Sequence, residues 1–409
     1  MTTPTRNELT GGTVTGPGGR IRRALPLLGS LQGYIGLVLI VLIGIVTQGG
    51  RFANVDNITN AIGYFAPRGI LAVGMTLVII AAGIDLSVGS LLAVGSTAAA
   101  WLLSEQNWPT VAIVPACMLI GAVFGLANGA GTGLLRIQSF VMTLAMMTVA
   151  RGIVREFSNN TSIGTVVIGS NGEVAPGSAQ FQKLGTPGAT LFGGNVPILD
   201  YFPVLALVVV VIVFQLILTK TKFGRHIYAV GGNPTAARLS GVNVTGVTIA
   251  VFTLSGMLAG LAGPISAAYN ASADPQAGLG YELDAIAAVV IGGASLAGGR
   301  GSVVGTFIGA LILTLLDNVL GLNSISANWQ LIVKGLIVVV AVVIQRPELF
   351  SDLAAWLKRR FGRTHGPTPP LTSPTSSGHT SRSEHSSTVP VPPFRQKSHH
   401  PGTITTKES

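Results

Sequence analysis

The stretch Gly74–Ser90, GMTLVIIAAGIDLSVGS, decides the fold, because a single carboxylate, Asp85, interrupts a run that is otherwise apolar. An ionised carboxylate is expensive to bury in hydrocarbon, so it must pair, face water or cap a helix end. Gly83 suits the left-handed residue that ends one helix, and Asp85 or Ser87 suits the N-cap of the next. The stretch therefore predicts a broken helix whose polar break is a structural cap, part of a solute pathway, or both.

The composition indicates that this stretch lies in a membrane. Of the 409 residues, 48% are hydrophobic, 10% are charged and 54 are glycine, which is typical of a polytopic helical membrane protein. We expect no cleaved secretory signal, since the first 27 residues are polar. The single cysteine, Cys117, excludes an intramolecular disulfide. We expect no metal site, because the histidines have no ligand spacing and five of the six fall at or beyond His365.

Ten apolar segments are candidate membrane helices, so the predicted fold is an all-α, polytopic membrane helix bundle of about ten transmembrane helices. Several segments approach the length of about 20 residues that crosses a bilayer. Two of them, 139–154 and 285–297, are short and suit re-entrant or half-helices. The ten segments are 28–46, 59–83, 86–103, 110–134, 139–154, 197–219, 246–268, 285–297, 303–322 and 328–345.

The distribution of basic residues predicts the orientation. Three arginines between positions 20 and 23 precede the first segment, which indicates a cytoplasmic N-terminus, and ten crossings return the C-terminus to that side. This map explains the net charge of +10 without a nucleic-acid partner, since it places most internal basic residues in cytoplasmic loops. The expected divisions are a cytoplasmic segment at 1–27, a transmembrane domain at 28–346, a basic cytoplasmic segment at 347–361 and a disordered Pro/Ser/Thr/His-rich tail at 362–409.

The longest internal polar loop, 155–196, falls on the extracytoplasmic side of this map. It is either a docking surface for an extracytoplasmic partner or a solvated connector, and its composition does not separate the two.

Glycines repeat every fourth residue in two of the segments and at the start of a third, which predicts faces on which another helix approaches closely. Asn128 lies beside the first of these stripes and needs a hydrogen-bond partner if it is buried. We interpret it as a contact between helices. The stripes are Gly121, Gly125, Gly129 and Gly133, then Gly256 and Gly260, then Gly301, Gly305 and Gly309.

Charged residues inside apolar segments are candidates for structural pairs or functional sites. Asp317 and Lys334 lie at similar depth in adjacent segments, so we predict a structural ion pair between them. Arg68, which follows Pro67, has no partner that the sequence identifies. The candidate pathway or helix-break residues are Asp85, Ser87, Asn128, Glu282 and Asp284.

The predicted cytoplasmic stretch 223–243, FGRHIYAVGGNPTAARLSGVN, contains a completely capped short helix. Asn233 suits the N-cap, Pro234 the first helical position and Gly241 the C-terminal stop. Such capping in an exposed loop favours a docking element. The alternative is a well-ordered connector between two membrane helices.

Four blocks of the sequence resemble the permease subunits of bacterial ABC importers for monosaccharides, the ribose, xylose and galactose group. The resemblance extends over residues 28–346, and the blocks occur in the family's order. WQLIVKG at 329–335 is more similar to the xylose and galactose members. The blocks are GMTLVIIAAGIDLSVGS at 74–90, FVMTLAMMTVARGI at 140–153, GRHIYAVGGNPTAARLSGVNV at 224–244 and ELDAIAAVVIGGASLAGGRGSVVG at 282–305.

The resemblance implies a multi-pass subunit of the bacterial plasma or inner membrane. Two permease chains, expected here as a homodimer in the lipid bilayer, form the pathway. A cytoplasmic ABC ATPase subunit uses ATP and Mg, and an extracytoplasmic sugar-binding protein delivers the monosaccharide; this chain itself binds no cofactor. By this resemblance, the capped helix corresponds to the coupling helix that docks on the ATPase. Its residues are Gly231, Gly232, Asn233, Pro234, Thr235, Ala236, Ala237, Arg238, Leu239, Ser240 and Gly241. The long tail departs from the family's short C-terminus.

The sequence contains no Gly-x-x-x-x-Gly-Lys-Ser/Thr stretch, so we expect a transport subunit that is not itself an enzyme. One rival is an ion-coupled secondary transporter of a small polar solute, using Asp85, Asp284 or the Asp317–Lys334 pair. Another is a passive channel or a structural membrane subunit. For the docking role, we predict that Ala237→Asp abolishes transport while the chain still inserts.

Overall fold

A computed structural model describes residues 18–168, 172–186, 201–344 and 356. The chain divides into two units, Met1–Asp352 and Leu353–Ser409. The account below concerns the first unit; in the second, only the exposed Trp356 is among the described residues. The predicted disordered tail, 362–409, lies outside the described residues, as does most of the predicted basic segment.

The predicted all-α membrane bundle is confirmed, and each of the ten predicted segments overlaps a helix. The described residues also contain three short helices, α6, α8 and α9, and two very short strands. The helices are α1 Gly18–Gln48, α2 Val55–Ile80, α3 Val88–Ser104, α4 Thr110–Gly133, α5 Ser139–Phe157, α6 Pro176–Gln182, α7 Phe202–Lys220, α8 Lys222–Gly232, α9 Pro234–Leu239, α10 Val244–Tyr269, α11 Tyr281–Ile291, α12 Val303–Leu322 and α13 Ala327–Ile344; a 3-10 turn, Gly49–Arg51, follows α1, and the strands are β1 Ile163–Gly164 and β2 Ser272–Ala273.

Six of the helical stretches are long and apolar enough to cross a membrane by length and composition. The predicted segments outside these six include those that form helix α5, which has 19 residues, and helix α11, which has 11 residues. At 1.5 Å per residue, α11 is only about 16 Å long, roughly half of a hydrocarbon core. The six stretches are Gly33–Arg51, Val55–Ile80, Thr110–Gly133, Phe202–Lys220, Val244–Tyr269 and Val303–Leu322.

Helix α2 lies at the centre of the bundle. Every residue from Phe65 to Ile80 is buried, and α3 and α10 are also buried over most of their length. A helix that is apolar all round must be covered by protein or lipid on every side, and here other helices cover it. In the polar break that follows Ile80, Ala82 is exposed, whereas Asp85 and Ser87 are buried.

The glycine stripe of α4 packs directly on α10, as the spacing predicts. A Cβ at Gly121 would overlap the carbonyl oxygen of Gly256, and a Cβ at Gly125 would overlap that of Phe252. Gly256 has the reciprocal clash with Gly121. The two backbones are in contact, so small residues at these positions are a steric requirement.

The third stripe is only partly as predicted. Gly305 and Gly309 of α12 approach the backbone of Gly292 and Ala288 at the end of α11. Gly301 precedes the first residue of α12, so its assignment to a helix-packing stripe is wrong.

Replacing Gly125 with alanine is expected to destabilise the bundle. Alanine favours the helix by about 0.5–1 kcal/mol relative to glycine, but overpacking a closed contact costs about 1–3 kcal/mol, and the clash here is with backbone. We expect a lower thermal unfolding temperature in detergent. The matched control is Gly152→Ala in α5, where nothing lies within 4 Å of the added methyl group. Equal unfolding temperatures for the two variants would contradict the packing argument.

The polar loop that follows α5 is ordered where the structure describes it. Strand β1 pairs antiparallel with β2, Ile163 opposite Ala273. In α6, Phe181 is fully buried, and Ser178 Oγ donates to Thr165 O at 2.6 Å. These contacts join the loop to the segment after α10, and Phe181 packs in one hydrophobic cluster with residues of α3, α4 and α10, so the described part of the loop is anchored to the bundle.

Candidate functional site

The break between α2 and α3 begins with a left-handed residue, but at Ala82 (φ 61°) and not at Gly83 as predicted. Gly83 N donates to Val78 O at 2.8 Å and continues the end of α2. A Cβ at Gly83 would lie 3.1 Å from Val78 Cγ1 and 3.2 Å from Phe252 Cζ. Glycine is therefore favoured at position 83 by the small space available.

Asp85 is fully buried and accepts three hydrogen bonds. Its Oδ1 accepts from Ser87 N at 3.0 Å and from Ser87 Oγ at 2.6 Å, and its Oδ2 accepts from Ser255 Oγ at 2.9 Å. Asn128 Nδ2 donates to Ser87 Oγ at 2.8 Å, whereas the buried Asn128 Oδ1 has no hydrogen-bond partner among the described residues. Ser87 occupies the N-cap position of α3 but makes no side-chain cap bond.

These contacts unite α3, α4 and α10 around the break. We call Asp85, Ser87, Asn128 and Ser255 the polar node. Each of the four side chains is at most 1% exposed, so the node is enclosed by protein in this conformation. Three of the five candidate pathway residues are therefore brought together, at a point that is closed to solvent.

The first turn of α5 holds the non-helical backbone of the break. Ser139 Oγ accepts from Ile84 N at 3.2 Å, and Thr143 Oγ1 accepts from Leu86 N at 3.1 Å. Non-helical backbone at membrane depth is tolerated only where protein or enclosed water satisfies it. Sequence reasoning missed Thr143; its position inside an apolar segment, about two helical turns before Arg151, was the only available signal.

Helix α8 also packs against this break, at the end of α2. A Cβ at Gly231 would overlap the carbonyl oxygen of Ile80, the last residue of α2. That oxygen also accepts from Gly299 N at 2.9 Å, and Tyr228 Oη donates to Gly301 O at 2.8 Å. We call this contact between α8, the end of α2 and the loop before α12 the glycine junction.

Tyr228 keeps its proton over the whole physiological pH range, because burial raises the pKa of its hydroxyl above the usual value. It therefore remains a hydrogen-bond donor to the loop before α12. The glycine junction thus has both a close backbone contact and a side-chain link.

The capped helix α9 spans six residues. Asn233 Oδ1 accepts from Ala236 N at 2.9 Å, Pro234 is the first helical residue, and Gly241 has φ +83°. Leu239 is 85% exposed, an unusual environment for a leucine, whereas Ala237 is 5% exposed and packs on the bundle. Ala237→Asp would therefore disturb the permease itself, so the substitution predicted from the sequence does not isolate docking.

Four charged side chains, from α2, α11, α12 and α13, form a second polar centre. Lys334 Nζ lies 3.0 Å from Asp317 Oδ2 and 3.4 Å from each carboxylate oxygen of Asp284. Arg68 Nε lies 3.8 Å from Asp284 Oδ2. We call Arg68, Asp284, Asp317 and Lys334 the charge cluster. The predicted pair has the expected geometry, and sequence reasoning missed that Arg68 and Asp284 join it.

Two tyrosines enclose the guanidinium of the charge cluster. Arg68 Cζ lies 3.2 Å from the ring centroid of Tyr64 and 4.2 Å from that of Tyr281. Arg68 Nη2 also donates to the Tyr64 hydroxyl. Cation–π contacts of this kind fix the plane of the guanidinium.

Glu282 lies apart from the charge cluster. Its carboxylate faces α3, because a Cβ at Gly89 would lie 2.6 Å from Glu282 Oε2. Arg151 of α5 is nearby in the fold and donates from Nη1 to Pro275 O at 2.7 Å and Ala277 O at 2.8 Å. The five candidate pathway residues thus separate into the polar node, the charge cluster and Glu282.

Together, the bundle, its broken helix and its two polar centres define a polytopic membrane protein of the transport class. The family model described as branched-chain amino acid transport system / permease component matches residues 57–342, and the chain belongs to this family.

Relatives from three bacteria resemble the chain over most of their length. The ribose import permease protein of Escherichia coli strain K12 is 42% identical over 309 residues, 75% of this chain and 91% of the relative. That of Bacillus subtilis is 39% identical, covering 76% and 91%. The xylose transport system permease protein of Haemophilus influenzae is 37% identical, covering 77% and 96%. No solved structure matches. The resemblance to monosaccharide importer permeases is confirmed.

Proposed function

We propose that this chain is the transmembrane permease subunit of an ATP-binding-cassette importer that moves a monosaccharide of the ribose, xylose or galactose class into the cytoplasm. The relatives named for ribose and xylose support the substrate class. Identity is higher to the ribose relatives than to the xylose relatives, which does not favour the xylose-like reading of the 329–335 stretch. ATP and Mg act in a separate cytoplasmic ATPase, and a sugar-binding protein delivers the solute from outside.

The observation that carries the proposal is the glycine junction. An exposed, capped helix, α9, follows α8 directly, and α8 touches the carbonyl of Ile80 next to the polar node. A push on α9 therefore has a short, rigid route to the break between α2 and α3. Packed elements of this kind shift as units when a conformational change is driven from one end.

The exposed side of α9 has the character of a docking surface. Leu239 projects into solvent, and Arg238 lines a cavity of about 290 Å³ together with Arg136 and three threonines. An apolar anchor beside two cations suits an acidic groove on a partner. The predicted distribution of basic residues keeps both termini cytoplasmic. The resemblance to the family implies two copies of this chain in the assembly.

Reconstitution with the ATPase and the binding protein tests the proposal against the ion-coupled rival. Uptake that requires both partners and ATP, and that persists when proton and sodium gradients are collapsed, is the expected result. Uptake by the permease alone, driven by an ion gradient, would exclude it.

Replacing Leu239 with aspartate is expected to release the ATPase while the permease remains folded. The side chain is 85% exposed, so the change adds a charge to the docking surface and leaves the core intact. Loss of a central apolar anchor commonly costs an interface 2 kcal/mol or more, about 30-fold in affinity. The measurement is co-purification of the ATPase and ATP-driven uptake.

The matched control is Leu279→Asp. Leu279 is 65% exposed and follows the far end of α10, a 26-residue helix whose near end follows α9. The ATPase should stay bound in this variant. Normal ATPase binding by Leu239→Asp would remove the docking role of α9.

A further inference from the structure

We propose that the charge cluster is a binding site for hydroxyl groups of the transported solute, an inference that rests on the function proposed above. It combines unpaired polar atoms with side chains that are partly exposed. The polar node is enclosed in this conformation and offers no opening.

The charge balance of the cluster suits an uncharged solute. Two cationic side chains, Arg68 and Lys334, face two anionic ones, Asp284 and Asp317. A charged solute would leave one unbalanced charge in a poorly solvated site, which is expensive. A neutral, polar solute leaves the balance unchanged.

The unpaired atoms of the cluster match a hydroxyl group. Among the described residues, Arg68 Nε and Nη1 are buried donors without a hydrogen-bond partner, and Asp317 Oδ1 is a buried acceptor without one. Each such atom costs about 1–3 kcal/mol when it stays unpaired. A hydroxyl both accepts and donates, so neighbouring hydroxyls of a sugar satisfy the arginine and the aspartate together.

The cluster lies near the surface of the chain, although its unpaired atoms are themselves buried. Its side chains are 10–20% exposed, and Tyr64, against which the guanidinium packs, is 40% exposed. Tyr64 and Tyr281 hold the guanidinium in place, so Arg68 is oriented before a solute arrives. Such preorganisation reduces the entropy cost of binding.

Ligand-observed NMR on the permease alone tests this site. The purified chain in lipid nanodiscs is titrated with D-ribose, D-xylose and D-galactose, and saturation transfer to the sugar is measured. We expect binding of at least one sugar, and about tenfold weaker binding after Arg68→Lys or Asp317→Asn, as for the loss of one charge-assisted hydrogen bond. Arg51→Lys and Asp56→Asn, which make the same exchanges at exposed positions, should bind as the unchanged chain does.

The unchanged chain also provides a test that no folding defect can obscure. If ribose is among the sugars bound, 2-deoxy-D-ribose should bind more weakly, because one atom of the cluster stays unpaired. Variants that keep their elution profile and thermal stability but bind the sugar normally would overturn the proposal, as would binding of none of the three sugars. ATP-dependent uptake by the complete importer alongside either result would leave the proposed function standing.

Discussion

Replacing Gly231 with valine is expected to abolish solute uptake while the ATPase stays bound. Any side chain at this position overlaps the carbonyl oxygen of Ile80 and disturbs the hydrogen bond that this oxygen accepts from Gly299. Overpacking costs about 1–3 kcal/mol where side chains can yield, and here backbone meets backbone. Helix α8 must move away from α2, which separates α9 from the break. We expect uptake to fall at least about tenfold, as a shift of 1.4 kcal/mol would produce.

The adjacent glycine is the matched control. Gly232 lies in the same last turn of α8, but nothing lies within 4 Å of a Cβ added there. Gly232→Val therefore makes the same change in helix propensity but does not clash with the Ile80 carbonyl. This variant should retain most of the uptake. The docking residue Leu239 is unchanged in both variants, so co-purification of the ATPase verifies that assembly is intact. Comparable uptake by the two variants would show that the glycine junction does not transmit motion.

Local signals predicted the helices and the caps well. Apolar segments of about 20 residues are sufficient to locate membrane helices, and all ten overlap observed ones. Asn233 and Gly241 behave as predicted because capping depends on residues within one turn. The packing face formed by the glycine stripe of α4 was also predictable, since helical spacing alone places these glycines on one face.

Contacts between distant segments were much less predictable. Arg68 and Asp284 meet because of the rotation and depth of α2 and α11, which no local pattern specifies. The burial of Ala237 has the same origin: a six-residue helix turns one face inward, and its sequence does not say which. The left-handed position fell on Ala82 and not on Gly83, because the available space and the surrounding hydrogen bonds outweighed backbone preference.

Replacing Asp85 with alanine is expected to reduce the amount of folded protein sharply. The change leaves Ser87 N, Ser87 Oγ and Ser255 Oγ without their acceptor inside the bundle. Buried unpaired groups cost about 1–3 kcal/mol each, against a total stability of about 5–15 kcal/mol for typical proteins. Asp56→Ala, an exposed carboxylate in the first turn of α2, should cost less than about 1 kcal/mol. Membrane yield and thermal unfolding in detergent measure the difference.

Replacing Asp85 with asparagine separates hydrogen bonding from ion coupling. The amide oxygen still accepts from Ser87, and the Ser255 hydroxyl can turn to accept from the amide nitrogen. If the Asp85 carboxylate acts only as a hydrogen-bond acceptor in the polar node, the Asp85→Asn variant retains ATP-driven uptake and folds far better than Asp85→Ala. If it carries a proton or a cation, the asparagine variant folds but transports nothing, because an amide does not titrate. Loss of uptake in a stable Asp85→Asn variant would favour the ion-coupled transporter over the ATP-driven permease.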